Sequence, residues 1–318
     1  MASRSTFVEA RQAGRSLLEI LQASFRLPRK AALATLKARR VRICGGVCVD
    51  PDRRVKAGQH IQVEAASSKP NRSSSGIVIR HVDEHLIVVE KPAGMTTVRH
   101  ADEIESLGKR AKKYLPPTLV DLLPAELARA GHANKGRIRA VHRLDKETSG
   151  LVVLARTSEA ESHLGKQFRA HSVGRRYLAL VRGQATAARI ESHLIADRGD
   201  GRRGSSGSNE GQHAVTHVRV IEPFGDFTLV ECELETGRTH QVRIHLGEAG
   251  TPLCGERVYD RPLHGKPLPD ASGARRPMLH AAYLAIEHPA TGKRMEWHAE
   301  TPKDMKALAA TQDRGDCG

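Results

Sequence analysis

The chain has 318 residues, enough for one large and one small domain, each with its own core. Its 51 Lys and Arg outnumber 36 Asp and Glu, a formal charge of +15 with a pI near 10.0, which points to a polyanionic partner and away from neutral substrates. Aromatic residues make up only 3%, so serial stacking of bases on aromatic platforms is not the main binding mode. The cysteines Cys44, Cys48, Cys232, Cys254 and Cys317 are scattered, odd in number and without zinc-ligand spacing. No run approaches the roughly 20 apolar residues of a membrane span, and no cationic amphipathic helix or lipidation signal is present. Arg4, Arg11 and Arg15 suggest a transit peptide, but Glu9 and Glu19 argue against one. A cytoplasmic monomer that contacts no membrane is expected.

Residues 1–65 hold 13 Lys and Arg against 5 Asp and Glu, so the basic surplus is concentrated there. Leu17, Leu18, Leu21 and Phe25 fall at helical spacing, and Pro28 interrupts before a second helix through Ala32, Leu33 and Leu36. Val41 to Ile43 and Val47 to Val49 alternate around Gly45 and Gly46 as a tight hairpin, and Ile61 to Val63 is a further strand. Arg29, Lys30, Lys37, Arg39, Arg40 and Arg42 gather on the second helix and the strand after it. They read as an RNA-binding phosphate face or, on the bland reading, as a solvated helix surface. The order helix, helix, hairpin, strand resembles the ribosomal-protein-S-four-like (alpha-L) RNA-binding module, with Cys44 where that hairpin usually has Asn. The resemblance implies a small N-terminal α+β RNA-binding domain over 1–65.

Residues 66–76, with repeated Ser, Pro70 and Asn71, read as a flexible linker. Ile77 to Ile79 and Leu86 to Val89 are strands around Asp83 and Glu84, leading into Glu90-Lys91-Pro92-Ala93-Gly94. A polar stretch from Arg99 to Arg139 follows, helical around Val120 to Leu127, and either contacts RNA or covers a domain edge. Next comes Val141-His142-Arg143-Leu144-Asp145-Lys146-Glu147-Thr148-Ser149-Gly150, then Leu151 to Ala155, a buried strand. Asp145 thus sits between two cations on a turn anchored by that strand, a placement that suits a reactive acid, while composition alone reads it first as a solvated surface turn. The string closely resembles the His-Arg-Leu-Asp signature of the ribosomal large subunit pseudouridine synthase A-type family, and the Glu90 to Gly94 string matches the start of that family's catalytic domain. The resemblance implies a mixed, largely antiparallel α+β catalytic domain over 77–303, with Asp145 as catalytic residue.

Ser158-Glu159-Ala160-Glu161 has capping-box spacing and predicts a helix to about Ala170. Arg175 to Gly183 alternates as a strand with Tyr177, Ala179 and Val181 on one face. Tyr177 alone reads as packing, whereas the resemblance places it beside the target base. Asp197 to Gln212 is Gly-, Ser- and Arg-rich and predicts a mobile loop, with Arg198, Arg202 and Arg203 near phosphates. After a strand over Phe227 to Leu234, the run Thr236 to Leu246 fits both strand and helix; Thr239 as N-cap and Gly250 at the C-terminus favour helix. His240 and His245 lack the companions of a metal site. This run resembles the family's third motif, which implies that Arg243 pairs with Asp145. In the last matching string, Arg276 to Ala281, the resemblance puts Leu279 by the uracil. Residues 304–318 are expected as a short helix and a frayed tail.

Four strings in the family's order imply isomerisation of uridine in RNA without cofactor or metal. Asp145, Tyr177 and Arg243 are the catalytic candidates, and Arg143, Leu144, Arg238, His240, Gln241 and Leu279 the substrate contacts. Large-subunit ribosomal RNA is favoured over transfer RNA. A non-catalytic RNA-binding or ribosome-assembly factor is the rival reading, and a glycoside hydrolase lacks a second matched acid.

Overall fold

A computed structural model describes residues 4–37, 40–44, 46–63, 75–99, 115–132, 136–263 and 265–313. Residues 66–74 of the expected linker, Arg39 and most of the polar 99–139 stretch before Pro116 lie outside them. The chain divides into two compact units, a small one of Met1–Ser74 with Arg99–Pro117 and a large one of Ser75–Val98 with Thr118–Gly318.

In the small unit, helix α1 (Leu17–Phe25) opens on a capping box in which Ser16 and Glu19 satisfy each other's backbone N–H groups. It ends at Arg26 in the left-handed region, just before Pro28. Its apolar stripe, Leu17, Leu18, Leu21 and Phe25, packs with Ala32 and Leu36 of α2 (Arg29–Lys37) into a core shared with Val41 and Ile61. A four-stranded sheet completes the unit, in the order β1 (Arg4–Phe7), β4 (His60–Val63), β2 (Val41–Ile43), β3 (Gly46–Val47). The sequence reading missed β1, a four-residue edge strand with no alternating apolar pattern of its own. Cys44, in the hairpin turn, has φ +48, a conformation that Asn accepts more readily than Cys.

The large unit is α+β, built on an 11-stranded mixed sheet in which β7 (Arg139–Ala140) and β15 (Arg294–His298) pair off the main path. That path runs β11 (Gly204–Ser205), β10 (Ala188–Ile195), β12 (Gln212–Phe224), β13 (Phe227–Leu234), β9 (Gly174–Arg182), β14 (Leu279–Glu287), β8 (Ser149–Ala155), β6 (Leu86–Lys91), β5 (Val78–Val82). Among the described residues the pairing is antiparallel except between β8 and β14, where Ser149 and Gly150 lie beside His280 and Ala281. Strand β8 is buried along its whole length because both faces are covered. Val152 and Leu154 meet Leu119, Leu123 and Leu127 of α3 (Leu119–Arg129). Leu151 and Val153 meet the layer formed with Ala160 and Leu164 of α4 (Ser158–Arg169).

Several expectations need correction. The N-cap of α4 is Thr157, whose hydroxyl accepts from Ala160 N at 3.1 Å, not Ser158. Strands β10 and β12 were not anticipated. The predicted mobile loop over 197–212 contributes β11, and Arg198 within it, half-buried, is bound to Glu248 at 2.9 Å, so it is not free for phosphate. The helix of the third motif, α5 (Gln241–Glu248), begins after His240, not Thr239. The C-terminal helix α6 spans Lys303–Asp313. Among the described residues no helix is long and apolar enough to cross a membrane.

Candidate active site

The loop between β7 and β8 carries Asp145, and distant segments hold it by its backbone. Thr97, fully buried, donates to Leu144 O at 2.8 Å and accepts from Leu144 N at 3.1 Å. Lys91 Nζ donates to Pro92 O, Met95 O and Lys146 O at 2.7 to 3.2 Å. Burial pushes the Lys91 ammonium down to about 7, against the pull of Glu147 and Asp145. Arg276 reaches Glu147 O at 3.2 Å, and Ser149 Oγ meets His280 Nδ1 at 2.9 Å. Just beyond the loop, Gly150 has φ +118, and a Cβ there would lie 2.2 Å from Ala281 O, so only glycine lets β8 and β14 close. His142 stacks on Phe168 and accepts from Val153 N at 3.0 Å. Burial, then Arg175, pushes it down to about 3, so the imidazole is neutral and structural.

Arg243 comes from the first turn of α5. Val242 and Leu246 on the same helix pack on Ala179, Val181 and Cys232 of the sheet, which fixes the helix over the Asp145 loop. Arg243 Nη1 stands 3.5 Å from Asp145 Oδ2, longer than the direct 2.7 to 3.2 Å bond expected of such a pair. The reason is a second carboxylate that sequence reasoning missed. Glu256, its side chain wholly buried, takes Arg243 Nε at 2.7 Å and Nη2 at 2.8 Å. That side-on fork leaves Nη1 facing Asp145. Glu256 Oε1 also accepts from the N–H groups of Arg257 and Val258 at 3.0 and 2.9 Å. Burial raises the Glu256 carboxyl, but these bonds and the guanidinium outweigh it and hold it below its ordinary value. Gly247 makes this possible: a Cβ there would sit 2.2 Å from Tyr259 O, so a side chain would push the 256–259 segment away.

His240 takes the left-handed conformation at φ +60 and puts Nε2 at 3.7 Å from Asp145 Oδ1, with Nδ1 on the Tyr259 hydroxyl at 2.7 Å. Burial lowers its basicity and Asp145 opposes that; the net direction is down, which favours a neutral ring at pH 7. Tyr177, on β9, lines the same cavity; burial raises its hydroxyl above the ordinary value and keeps it protonated. The cavity is narrow, about 60 Å³, and Arg143, Leu144, Asp145, Tyr177, Arg238, His240, Gln241, Arg243 and Leu279 all line it. All nine candidates of the large unit therefore converge.

Convergence is not equivalence. Gln241 is 2% exposed, accepts from Thr236 Oγ1 and Arg238 N, and donates to Val215 O and Thr216 Oγ1, so its amide is fully engaged and cannot read a base. Leu144 and Leu279 are both 4% exposed and supply apolar wall. Arg143 is exposed and Asp145 half-buried, with 22% of its side chain accessible. In the small unit, Arg29, Lys30 and Lys37 are exposed, the last two lying two turns apart on one side of α2, while Arg40 and Arg42 are half-buried.

With this geometry in place, comparisons with known proteins become informative. A family model described as RNA pseudouridylate synthase matches residues 85–248. Over 280 residues the chain is 36% identical to the ribosomal large subunit pseudouridine synthase D of Zymomonas mobilis, covering 83% of this chain and 82% of that one. It is 36% identical over 244 residues to the enzyme of the same name from Pseudomonas aeruginosa, covering 74% and 72%. With that of Escherichia coli K12 it is 32% identical over 283 residues, covering 85% and 81%. Among solved structures, human RNA pseudouridylate synthase domain containing 4 shares the fold with a TM-score of 0.57 at 23% identity, over 74% of this chain and 93% of that one. Human RNA pseudouridylate synthase domain containing 1 gives a TM-score of 0.54 at 25% identity, over 74% and 86%.

Proposed function

The chain belongs to the RNA pseudouridylate synthase family and is an RNA pseudouridine synthase, and on that premise we propose that it modifies large-subunit ribosomal RNA with Asp145 as the carboxylate that attacks the target uridine. The observation that carries the assignment of Asp145 is the line Asp145, Arg243, Glu256. One carboxylate orients the guanidinium side-on, and the free edge of that guanidinium faces the other, in a cavity walled by Tyr177 and Leu279.

In the reaction the bond from ribose C1′ to uracil N1 breaks, the base turns, C5 bonds to C1′, the C5 proton leaves and N1 takes up a proton, so that the product is an isomer. Asp145 acts on sugar or base as nucleophile, its new bond breaking again before the product leaves, and Arg243 faces the carboxylate and fixes its direction. The target base must leave its stack, at a cost on the order of a few kcal/mol. Arg143, exposed at the mouth, is placed to occupy the gap. Leu279 and the Tyr177 ring cover the uracil face, and the protonated Tyr177 hydroxyl can donate to the base or relay a proton. Arg238 and His240 contact the substrate at the opposite wall.

The small unit serves as an S-four-like RNA-binding domain spanning 1–65, tethered by 66–76 to the catalytic domain over 77–303; the stretch expected as a tail from 304 instead begins within α6, whose Met305 is buried and whose Asp304 is held by Arg276. Its phosphate face is Arg29, Lys30, Lys37, Arg40 and Arg42, with Arg39 from outside the described residues. The protein works as a cytoplasmic monomer without cofactor. Ribosomal RNA as substrate is supported by the names of the relatives and by the +15 charge.

Tritium release from RNA labelled at uridine C5 tests the reading. Large-subunit ribosomal RNA should release tritium with the wild type and none with Asp145→Asn. Release confined to transfer RNA would refute the substrate, and full activity in Asp145→Asn would refute the residue.

A further inference from the structure

Arg175 lies two residues before Tyr177 on β9 and therefore on the same face of the sheet. It is 8% exposed, and its Nε and Nη2 are enclosed without a hydrogen-bond partner. The guanidinium leans on the Phe168 ring, with Cζ 5.7 Å from the centroid. Among the described residues no carboxylate forms an ion pair with it. A cation taken out of water and left unpaired is destabilising, so an anion from outside gives this residue its physical reason.

The space for that anion is present. Arg175 lines a cavity of about 410 Å³ together with His171, Ser172, His217 and Arg294. Leu234 borders both this cavity and the one around Asp145, so the two are neighbours. Two carboxylates also reach its walls, and neither answers Arg175. Glu235 is held by His217 Nε2 at 2.5 Å. Glu233 stands opposite Arg176 in the β13 to β9 register and so faces the other side of the sheet. Gly237 leaves bare backbone where the guanidinium ends, since a Cβ there would lie 2.3 Å from Arg175 Nη1. His171, at the mouth, is pushed down first by burial and then by the nearby Arg238 and Arg175.

We propose that this cavity is a phosphate subsite, in which Arg175 receives a backbone phosphate of the RNA strand beside the uridine held over Asp145. The proposal rests on the enzyme acting on RNA and adds a residue and a cavity to that reading. An anion that enters with the substrate makes the buried cation a sensor of strand position: it is paired when the flanking backbone is seated.

The test uses the full chain, transcripts of large-subunit ribosomal RNA, and short RNAs with single methylphosphonate linkages flanking the modified uridine. Arg175→Gln should raise KM about tenfold with kcat within about twofold, and lower the slope of log affinity against log salt by about one. Arg175→Lys should recover most of the KM. One methylphosphonate should raise the wild-type KM and add nothing in Arg175→Gln. Unchanged KM and salt slope, or a fall in kcat with an unchanged slope, overturns the subsite. A methylphosphonate effect that persists in full in Arg175→Gln does so too. Inorganic phosphate that binds through Arg175 while the RNA KM stays unaltered assigns the cavity to a free anion and also overturns it. If Arg175→Gln does not fold by circular dichroism, Gly237→Ala, which crowds Nη1 while keeping the charge, must reproduce the KM rise, and its failure to do so counts against the proposal. A wild type that isomerises no RNA would defeat the enzyme reading alone, because filter-retention salt slopes of wild type and Arg175→Gln still decide the subsite.

Discussion

Arg243 faces two carboxylates unequally, and the inequality defines the work of Glu256. Because Glu256 takes Nε and Nη2, it sets the plane in which Nη1 meets Asp145. Glu256→Gln keeps the shape and removes the charge; kcat should fall roughly tenfold to a hundredfold while KM stays within a few-fold, measured in single-turnover tritium release. An unchanged kcat would show that Arg243 needs no such support. A second prediction concerns acid stability. His142 accepts from Val153 N and must be neutral in the fold, with its pKa near 3 against an ordinary 6.5. A depressed histidine contributes stability that is full above its unfolded value and is lost as pH falls from about 6.5 toward 3. His245 and His280, both pushed to about 4 chiefly by burial, act in the same direction. Urea midpoints should therefore drop steeply between pH 6.5 and 4, and His142→Asn should lower the midpoint at pH 7.5 but flatten that drop; an equally steep drop in the variant would contradict the assignment. That Asp145, Tyr177 and Arg243 meet at one cavity was legible because each stands in a contiguous string. Glu256 was not, since a buried acid looks like any surface acid until the guanidinium 13 positions away is seen to face it.

Gly150 carries the demand that two strands make on one backbone position. Gly150→Ala would drive a methyl into Ala281 O and strain a φ of +118, so it should destabilise the protein by about 3 kcal/mol or more, or abolish folding, as read from urea denaturation. A loss below about 1 kcal/mol would mean that the contact between β8 and β14 is looser than described. At this scale the sequence was readable where a pattern had one period and opaque where it had two. The apolar run of β8 and the alternation of β9 announced themselves. Strand β12 was hidden because His213 and His217 interrupt its apolar residues and a register shift between Val220 and Glu222 breaks its period of two. Helix starts slipped by one residue for a similar reason. Thr157 and Ser158 are both good caps, and the extended backbone at Thr157 decides between them. No rule of sequence places a non-glycine residue such as His240 in the left-handed region ahead of α5.

Across the whole molecule, charge divides the labour: the first 65 residues carry a dense surplus of cations, whereas beside Asp145 one guanidinium, Arg243, is set against two carboxylates. The combined variant Arg29→Gln, Lys30→Gln, Lys37→Gln removes exposed charges from α2, so thermal stability should change little. KM for ribosomal RNA should rise and its salt dependence flatten, with kcat unaltered; a KM equal to wild type would remove this helix from RNA capture. Order along the chain was the legible part here, because four strings in sequence constrain a fold far more than any one does. The pairing of distant strings was not legible, and it has a temporal meaning. Glu147 is held by Arg276 and Ser149 by His280, partners 129 and 131 positions downstream. Contacts of such separation close late in folding. A chain that stops short of Arg276 and His280 would therefore lack both of these anchors, and the loop that carries Asp145 would be left without its downstream frame.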